Sequence, residues 1–469
     1  MTASVAGAAA SGSRPCTVAE IPGAGRGLVA ARVLRASDEV LRVPRRAWWP
    51  CGEAARSALL QHFTEERPEV AAGDFEAEDL SDEAAVALWL CGVLCRAHKQ
   101  SPPEAPLGGA VDATPQLAAA LAALPDQGDT VLQWSEEEFA ELAGSSFFQA
   151  ASELREETEL EWQALAGDQA WSALVAGWGC DRERFEWAKA MVLSRQVNLE
   201  CSGHPPGGAN VVVPGHDLLN HCSGGDPNCE FDTTCADGAE GDDVAVVVRC
   251  TRDVDAGHEL QISYGPLPNS SLLLFHGFVA DANPYDCVEL LLECPVVPAK
   301  RPWLRGLQRF ARMQDDRNAA NAFQVVDDPG DEAPAGAHFK LRHNLFEALP
   351  LPASFLGATR LLALPLASLE SLAARAGDVA AGDAACKALC RGPGELPVPG
   401  EGGALELAAS QLEQYVAAYP TSEGDDAAML AAAAPGLADR RRQALLVRLA
   451  EKRILGAALQ ALRSAIGPA

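Results

Sequence analysis

Three observations predict an α+β protein. Two β-rich stretches, residues 16–50 and 196–278, flank a block of helical periodicity at 51–195. A largely helical stretch, 290–469, follows. Apolar residues make up 48% of the 469-residue chain, enough for a large core shared between two or three domains.

The first β-rich stretch holds two predicted strands, Leu28 to Leu34 and Glu39 to Val43, around the polar turn Arg35 to Asp38. The run Gly23-Ala24-Gly25-Arg26-Gly27-Leu28 stands before the first of them. A strand rather than a helix follows this GxGxG pattern, so it fails the context of a dinucleotide fingerprint and reads locally as a glycine turn. In the helical block, Glu83 to His98 sets Val86, Leu90 and Val93 on one face, and Ser81-Asp82-Glu83 is a start signal. Glu136 to Leu142, Glu153 to Ala166 and Arg182 to Arg195 are also predicted helices, with loops at Ser101 to Pro115 and Leu124 to Gly128. β character returns with Val244 to Arg249, a short buried strand. His258 to Tyr264 alternates, which puts Leu260, Ile262 and Tyr264 on one face. Asp226 to Asp243, rich in Gly and Asp, reads as loop. Beyond it, Pro302 to Met313, Leu405 to Tyr419 and the segment carrying Leu455, Leu459, Leu462 and Ile466 read as helices. Phe339-Lys340-Leu341 reads as a short strand, and the Ala/Gly-rich stretches Ala373 to Gly400 and Glu423 to Ala438 as partly mobile.

A net charge of −28 repels phosphate backbones and disfavours direct nucleic-acid binding. It suits either plain solubility or attraction of a basic protein segment. No uninterrupted apolar run reaches the length of a membrane span. The fourteen scattered cysteines and the absence of a signal pattern at the start point to free thiols in a reducing compartment, cytoplasmic or nuclear, with the plastid not excluded. The chain is expected to be a monomer.

Several residues carry polar chemistry near the second β-rich stretch. Asp217-Leu218-Leu219-Asn220-His221 supplies donors and acceptors that bind a polar ligand or cap a turn, and Tyr264 closes a strand, where a rim hydrogen bond is the ordinary arrangement. Cys222, Cys229 and Cys235, near His216 and His221, lack the paired C-x2-C spacing of most structural zinc sites, so no metal site is expected. No nucleophile elbow or phosphate-binding loop supports a hydrolase or kinase.

The order of these pieces is more specific than any one of them. Gly-Arg-Gly-Leu near the start, a helical insert ending Ser194-Arg195, Asp217-x-x-Asn220-His221, His258-to-Gly265 with Ser263-Tyr264-Gly265, and Asn269-x-x-Leu-Leu-Leu-x-x-Gly277-Phe278 together resemble the SET-domain family. Within it, the resemblance is to the branch of the plant Rubisco large-subunit lysine methyltransferase, and it extends over nearly the whole chain. It implies a SET-type β-clip with a pseudoknot over 16–280, a helical insert at about 51–195, and a helical substrate-binding domain at 290–469. The implied activity is S-adenosyl-L-methionine-dependent protein-lysine N-methylation. Protein-histidine N-methylation and a SET-fold binding module with little turnover stay open, as does, from the cysteines alone, a zinc-organised scaffold. The resemblance places Gly25, Arg26 and Gly27 against the cofactor, with Arg195 and Asp217 helping to hold it. Asn220 would bond the cofactor's amino-acid end, the His221 main chain its adenine edge, and Tyr264 would sit beside the transferring methyl. Phe275, His276 and Phe278 would line the substrate channel or pack in the core. The pattern departs at His276, where the branch carries tyrosine, and at Asp129-Thr130-Val131, where it often carries proline.

Overall fold

A computed structural model of the protein describes residues 14–66, 80–99, 121, 124–200, 208–222, 226–234, 244–280, 283–295, 298–314, 323–326, 338–346, 351–393, 395–396, 399–432 and 439–466. A hairpin opens it. Strand β1 (Cys16–Ile21) turns through Gly23, at φ +79°, and returns as β2 (Gly25–Ala30), with Ile21 opposite Gly25. The positive φ is the reason for glycine at that turn. The glycine run therefore makes the turn and the start of β2 rather than preceding the first strand. Nor does β2 reach Leu34, which makes an isolated bridge to Val254 instead.

Strand β3 (Glu39–Pro44) leads into the helical block, whose helices are Gly52–Glu66, Asp82–Lys99, Glu136–Ala140, Phe147–Gly167, Gln169–Gly177 and Arg182–Leu193. Their starts follow capping chemistry. Ser81 Oγ accepts the Ala84 N–H at 3.2 Å, Asp181 accepts the Arg184 N–H at 2.9 Å, and Ser135 with Glu138 forms a capping box. Val86, Trp89, Leu90, Val93 and Phe185 are buried in a common core. The loop expected at Ser101 to Pro115 lies outside the described residues.

After the block come β4 (Gln196–Leu199), β5 (Ala209–Val212), β6 (Asn220–His221), β7 (Cys229–Thr234), β8 (Ala245–Cys250) and β9 (Glu259–Ile262). One sheet runs β1-β2-β9-β6 and another β3-β8-β7. β8 lies between two partners, which explains its run of buried valines. β7 corrects the loop expected from Asp226 to Asp243 over residues 229–234, while 235–243 lie outside the described residues. Its CEFDTT sequence is polar because it takes the sheet's edge, with only Cys229 fully inward.

Contacts divide the chain into two units. The first takes residues 1–134, 152–265 and 273–278; the second takes 135–151, 266–272 and 279–469. The second unit has its own sheet, of β10 (Cys287–Pro295), β11 (Phe323–Val326) and β12 (His338–Phe346) in the order β10-β12-β11. Its main helices are Arg301–Gln314, Ala353–Ala363, Leu366–Arg375, Asp383–Leu389, Glu401–Ala418, Glu423–Ala432 and Asp439–Ile466. Trp303, Leu307, Phe355, Leu389, Leu412, Leu455 and Leu462 fill its core. The Ala/Gly-rich stretches expected to be partly mobile contain two of these helices, Asp383–Leu389 and Glu423–Ala432, in their described parts. Alanine, the strongest helix former, outweighs the scattered glycines there. No helix among the described residues is long and apolar enough to cross a membrane.

Candidate active site

The site is built on the sheet β1-β2-β9-β6. Its unusual feature is that β6 lies parallel to β9, with Asn220 opposite Gln261 and His221 opposite Ile262. The Cys222 N–H extends the ladder to the Ile262 carbonyl at 2.8 Å. Alternation along β9 buries Leu260 and Ile262, and Tyr264, two residues further on, packs on the same core. Pairing and alternation together bring the Asn220-His221 pair and Tyr264 to one place.

Hydrogen bonds fix them there. The Tyr264 hydroxyl donates to the Leu219 carbonyl at 2.8 Å, and the Tyr264 N–H donates to His221 Nδ1 at 3.1 Å. Burial, reinforced by nearby Asp217 and opposed by Arg195, pushes the Tyr264 phenol well above its ordinary pKa, so it is neutral. Burial pulls His221 down, and its accepting Nδ1 leaves the ring proton on Nε2.

Asn220 Nδ2 donates to Glu259 Oε1 at 2.8 Å and lies 3.4 Å from the Arg26 carbonyl. Gly27 makes room for this contact: a Cβ there would stand 2.8 Å from Asn220 Nδ2. Arg195 pairs with Asp217 at 3.7 Å and donates to Ser194 Oγ at 2.7 Å, while Asp217 accepts the Gly215 N–H at 2.6 Å. Burial draws both charges toward their neutral forms, and the pairing opposes it. The Arg26 charge acts on both as well.

A π-helical turn, Leu272–His276, closes the cluster. Gly277 follows at φ +77°, so close to residues 129 and 130 that a Cβ would stand 2.7 Å from the Asp129 carbonyl carbon. Val131 is fully buried beside them. The turn sets the His276 ring 4.8 Å from Tyr264, with Nδ1 donating to the Ser194 carbonyl at 3.2 Å. Burial lowers the His276 pKa, Ser194 opposes this, and the neutral ring keeps its Nε2 lone pair. Phe278 lies 6.2 Å from His221 and 6.3 Å from Tyr264, ring centre to ring centre.

The structure thus gathers Arg26, Gly27, Arg195, Asp217, Asn220, His221, Tyr264, His276 and Phe278. Gly25 stands at the exposed start of β2 at φ +71°, with no atom within 4 Å of where its Cβ would be. Phe275, expected either at the channel or in the core, is 38% exposed and makes no ring contact among the described residues, which excludes the core alternative. The residue that sequence reasoning missed is Glu259, the acceptor for Asn220. Its position opening a strand, three residues before the buried Ile262, gave no local signal. His216, one of the residues weighed for zinc, is instead buried edge-on to Phe231 at 4.5 Å, and burial pushes its pKa down to about 4. Cys229 lies opposite Cys250 in the sheet, and Cys235 lies outside the described residues.

The chain belongs to the SET-domain family, whose profile matches residues 25–265, just over half of its length. A second profile, Rubisco LSMT substrate-binding, matches residues 295–455. Among curated proteins, the chain is similar to the chloroplastic ribulose-1,5 bisphosphate carboxylase/oxygenase large subunit N-methyltransferase of Pisum sativum. The two are 24% identical over 272 residues, 57% of this chain and 48% of that protein, so the match spans about half the relative's length. Among solved structures, the SET domain of LSMT bound to methyl-lysine and AdoHcy superposes with a TM-score of 0.63 at 19% identity, over 96% of this chain and 87% of that one. Rubisco LSMT bound to AdoMet gives 0.60 at 18%, with coverage of 96% and 87%. These likenesses establish a SET-type α+β fold.

Proposed function

We propose that the chain is an S-adenosyl-L-methionine-dependent protein-lysine N-methyltransferase. The observation that carries this reading is the parallel β6–β9 pairing, which sets Asn220, His221 and Tyr264 side by side next to Gly27. The residues suit the donor. The bare Cα of Gly27 permits close approach, and Asn220 Oδ1 has no partner among the described residues. Gly25, Arg26 and Gly27 would lie along the donor, Asn220 would hold its amino-acid end, the His221 main chain its adenine edge, and the Arg195–Asp217 pair would steady the turn beneath. The donor supplies an electrophilic methyl on a sulfonium. The Tyr264 hydroxyl proton is committed to the Leu219 carbonyl, so its oxygen lone pairs are free to face a polarised methyl through weak C–H···O contacts. His276 and Phe278 would wall the amine's approach, with Phe275 at its exposed rim. Burial there favours the neutral, nucleophilic amine, and alignment lowers the barrier by holding the reacting groups together.

The finer assignments rest on the same footing. Lysine is preferred to histidine because solved structures of LSMT are described with lysine and methyl-lysine. The SET domain would span 16–280, with its insert at about 51–195, and the helical part from 290 would bind the protein substrate. The plastid is the compartment that the Pisum sativum relative's name supports, and no comparison supports cytoplasm or nucleus. The test is incubation of the protein with methyl-labelled S-adenosylmethionine and a stromal extract, followed by digestion and mass spectrometry. Label on lysine ε-amines is expected. Label confined to histidine, or to no protein, overturns the reading.

A further inference from the structure

Glu259 opens β9 in the middle of the sheet β1-β2-β9-β6, opposite Val29 of β2. It is half-buried and has no ion pair among the described residues. Its Oε1 accepts the Asn220 Nδ2–H at 2.8 Å, and a Cβ on Gly27 would stand 3.1 Å from the same oxygen. The other group facing Nδ2 is the Arg26 carbonyl at 3.4 Å. A carboxylate and a carbonyl are both acceptors, so this pair decides which end of the carboxamide faces them. Nδ2 points to β2 and β9, and Oδ1 is presented away from them as an acceptor with no partner among the described residues.

The geometry points to Glu259 as a positioning residue for a cationic ligand group: its carboxylate holds the Asn220 carboxamide so that Oδ1 receives an N–H from the ammonium of the donor's amino-acid end. This rests on the S-adenosylmethionine reading of the same site. Without an acceptor at this reach, the amide is free to rotate and offer its N–H face, which repels an ammonium. The reach of the side chain matters more than its charge. Glutamine keeps a carbonyl at the same length, whereas aspartate keeps the charge but falls a methylene short of Asn220.

The test is calorimetric titration with two ligands. S-Adenosylhomocysteine carries the amino-acid end; 5′-methylthioadenosine carries the adenosine and sulfur without it. Glu259→Asp is expected to weaken S-adenosylhomocysteine about 10-fold, the effect of one lost charge-assisted hydrogen bond, and to leave methylthioadenosine within about 2-fold. Glu259→Gln is expected to stay within about 3-fold of the wild type for both, since its amide oxygen still accepts from Asn220. Wild-type affinity in Glu259→Asp, a greater loss in Glu259→Gln than in Glu259→Asp, or an equal loss of both ligands in either variant overturns the role. A wild type that binds both ligands equally overturns it too. A wild type that binds neither removes the S-adenosylmethionine reading beneath it.

Discussion

Two polar regions, one in each unit, contrast in how they treat their acceptors. In the second unit, Asp426 is fully buried and every contact is met: Arg448, Lys452 and the Thr421 hydroxyl all donate to it. Burial pushes its carboxyl up, and those donors outweigh it and hold the pKa down. Beside it, Glu451 accepts from the Tyr419 hydroxyl, and from the Ser146 hydroxyl at 2.7 Å. In the first unit, the cluster around Tyr264 is left incomplete. Asn220 Oδ1 and the Nε2 of His276 have no partner among the described residues, and Glu259 has no cation. A network that stabilises fills its valences; one that binds leaves acceptors for the ligand to fill.

The comparison can be broken at either end. The largest effect is expected from Asp426→Ala, which strands two buried cations and should cost the second unit about 3–5 kcal/mol, read as a lower urea midpoint. A change below about 1 kcal/mol would mean that water enters the network. Tyr264→Phe should act on rate instead. A loss of about 100-fold or more in methyl transfer is expected, alongside a stability change no larger than the one hydrogen bond to Leu219, about 1 kcal/mol. Equal turnover in the variant would separate Tyr264 from the chemistry.

Glu451 sharpens the contrast through pH. Burial raises its carboxyl from the ordinary 4.5 to about 7, against the pull of Tyr419 and Ser146. The folded state therefore holds this proton more tightly than the unfolded chain. The resulting stability is fully present below pH 4.5 and is lost as pH rises through about 7, about 3 kcal/mol in all. Glu451→Gln should flatten urea stability between pH 5 and 8, and a wild-type slope in the variant would contradict the assignment. The smallest effect is expected from Gly27→Ala. Its new Cβ would press on Asn220, Ile21 and Glu259 and should weaken S-adenosylhomocysteine about 5-fold to 10-fold, measured by the same titration, with a stability cost of about 1 kcal/mol read from the urea midpoint.

Much of the fold and site was legible because it is written locally or in a fixed order. Helices at Asp82–Lys99 and Arg182–Leu193 follow from periodicity and caps, and Asn220, His221 and Tyr264 follow from short motifs in sequence. What escaped was written across the chain. Glu259 gains its role from a side chain 39 residues away through a strand pairing that periodicity does not encode. β7 hid because an edge strand needs few apolar residues. Phe275 lies three residues from Phe278 in sequence, yet Phe275 is 38% exposed while the Phe278 ring lies 6.3 Å from Tyr264. That residues 135–151 join the second unit is likewise invisible to a local reading. It shows in the bond from Ser146 to Glu451, 305 residues on.

The central claim, that β2, β6 and β9 assemble one cofactor site, meets its most direct test in a crystal structure of the protein with S-adenosylhomocysteine. The account predicts the ligand's ammonium hydrogen-bonded to Asn220 Oδ1 and its sulfur in contact with the Tyr264 hydroxyl. A ligand bound with neither side chain in contact would contradict it.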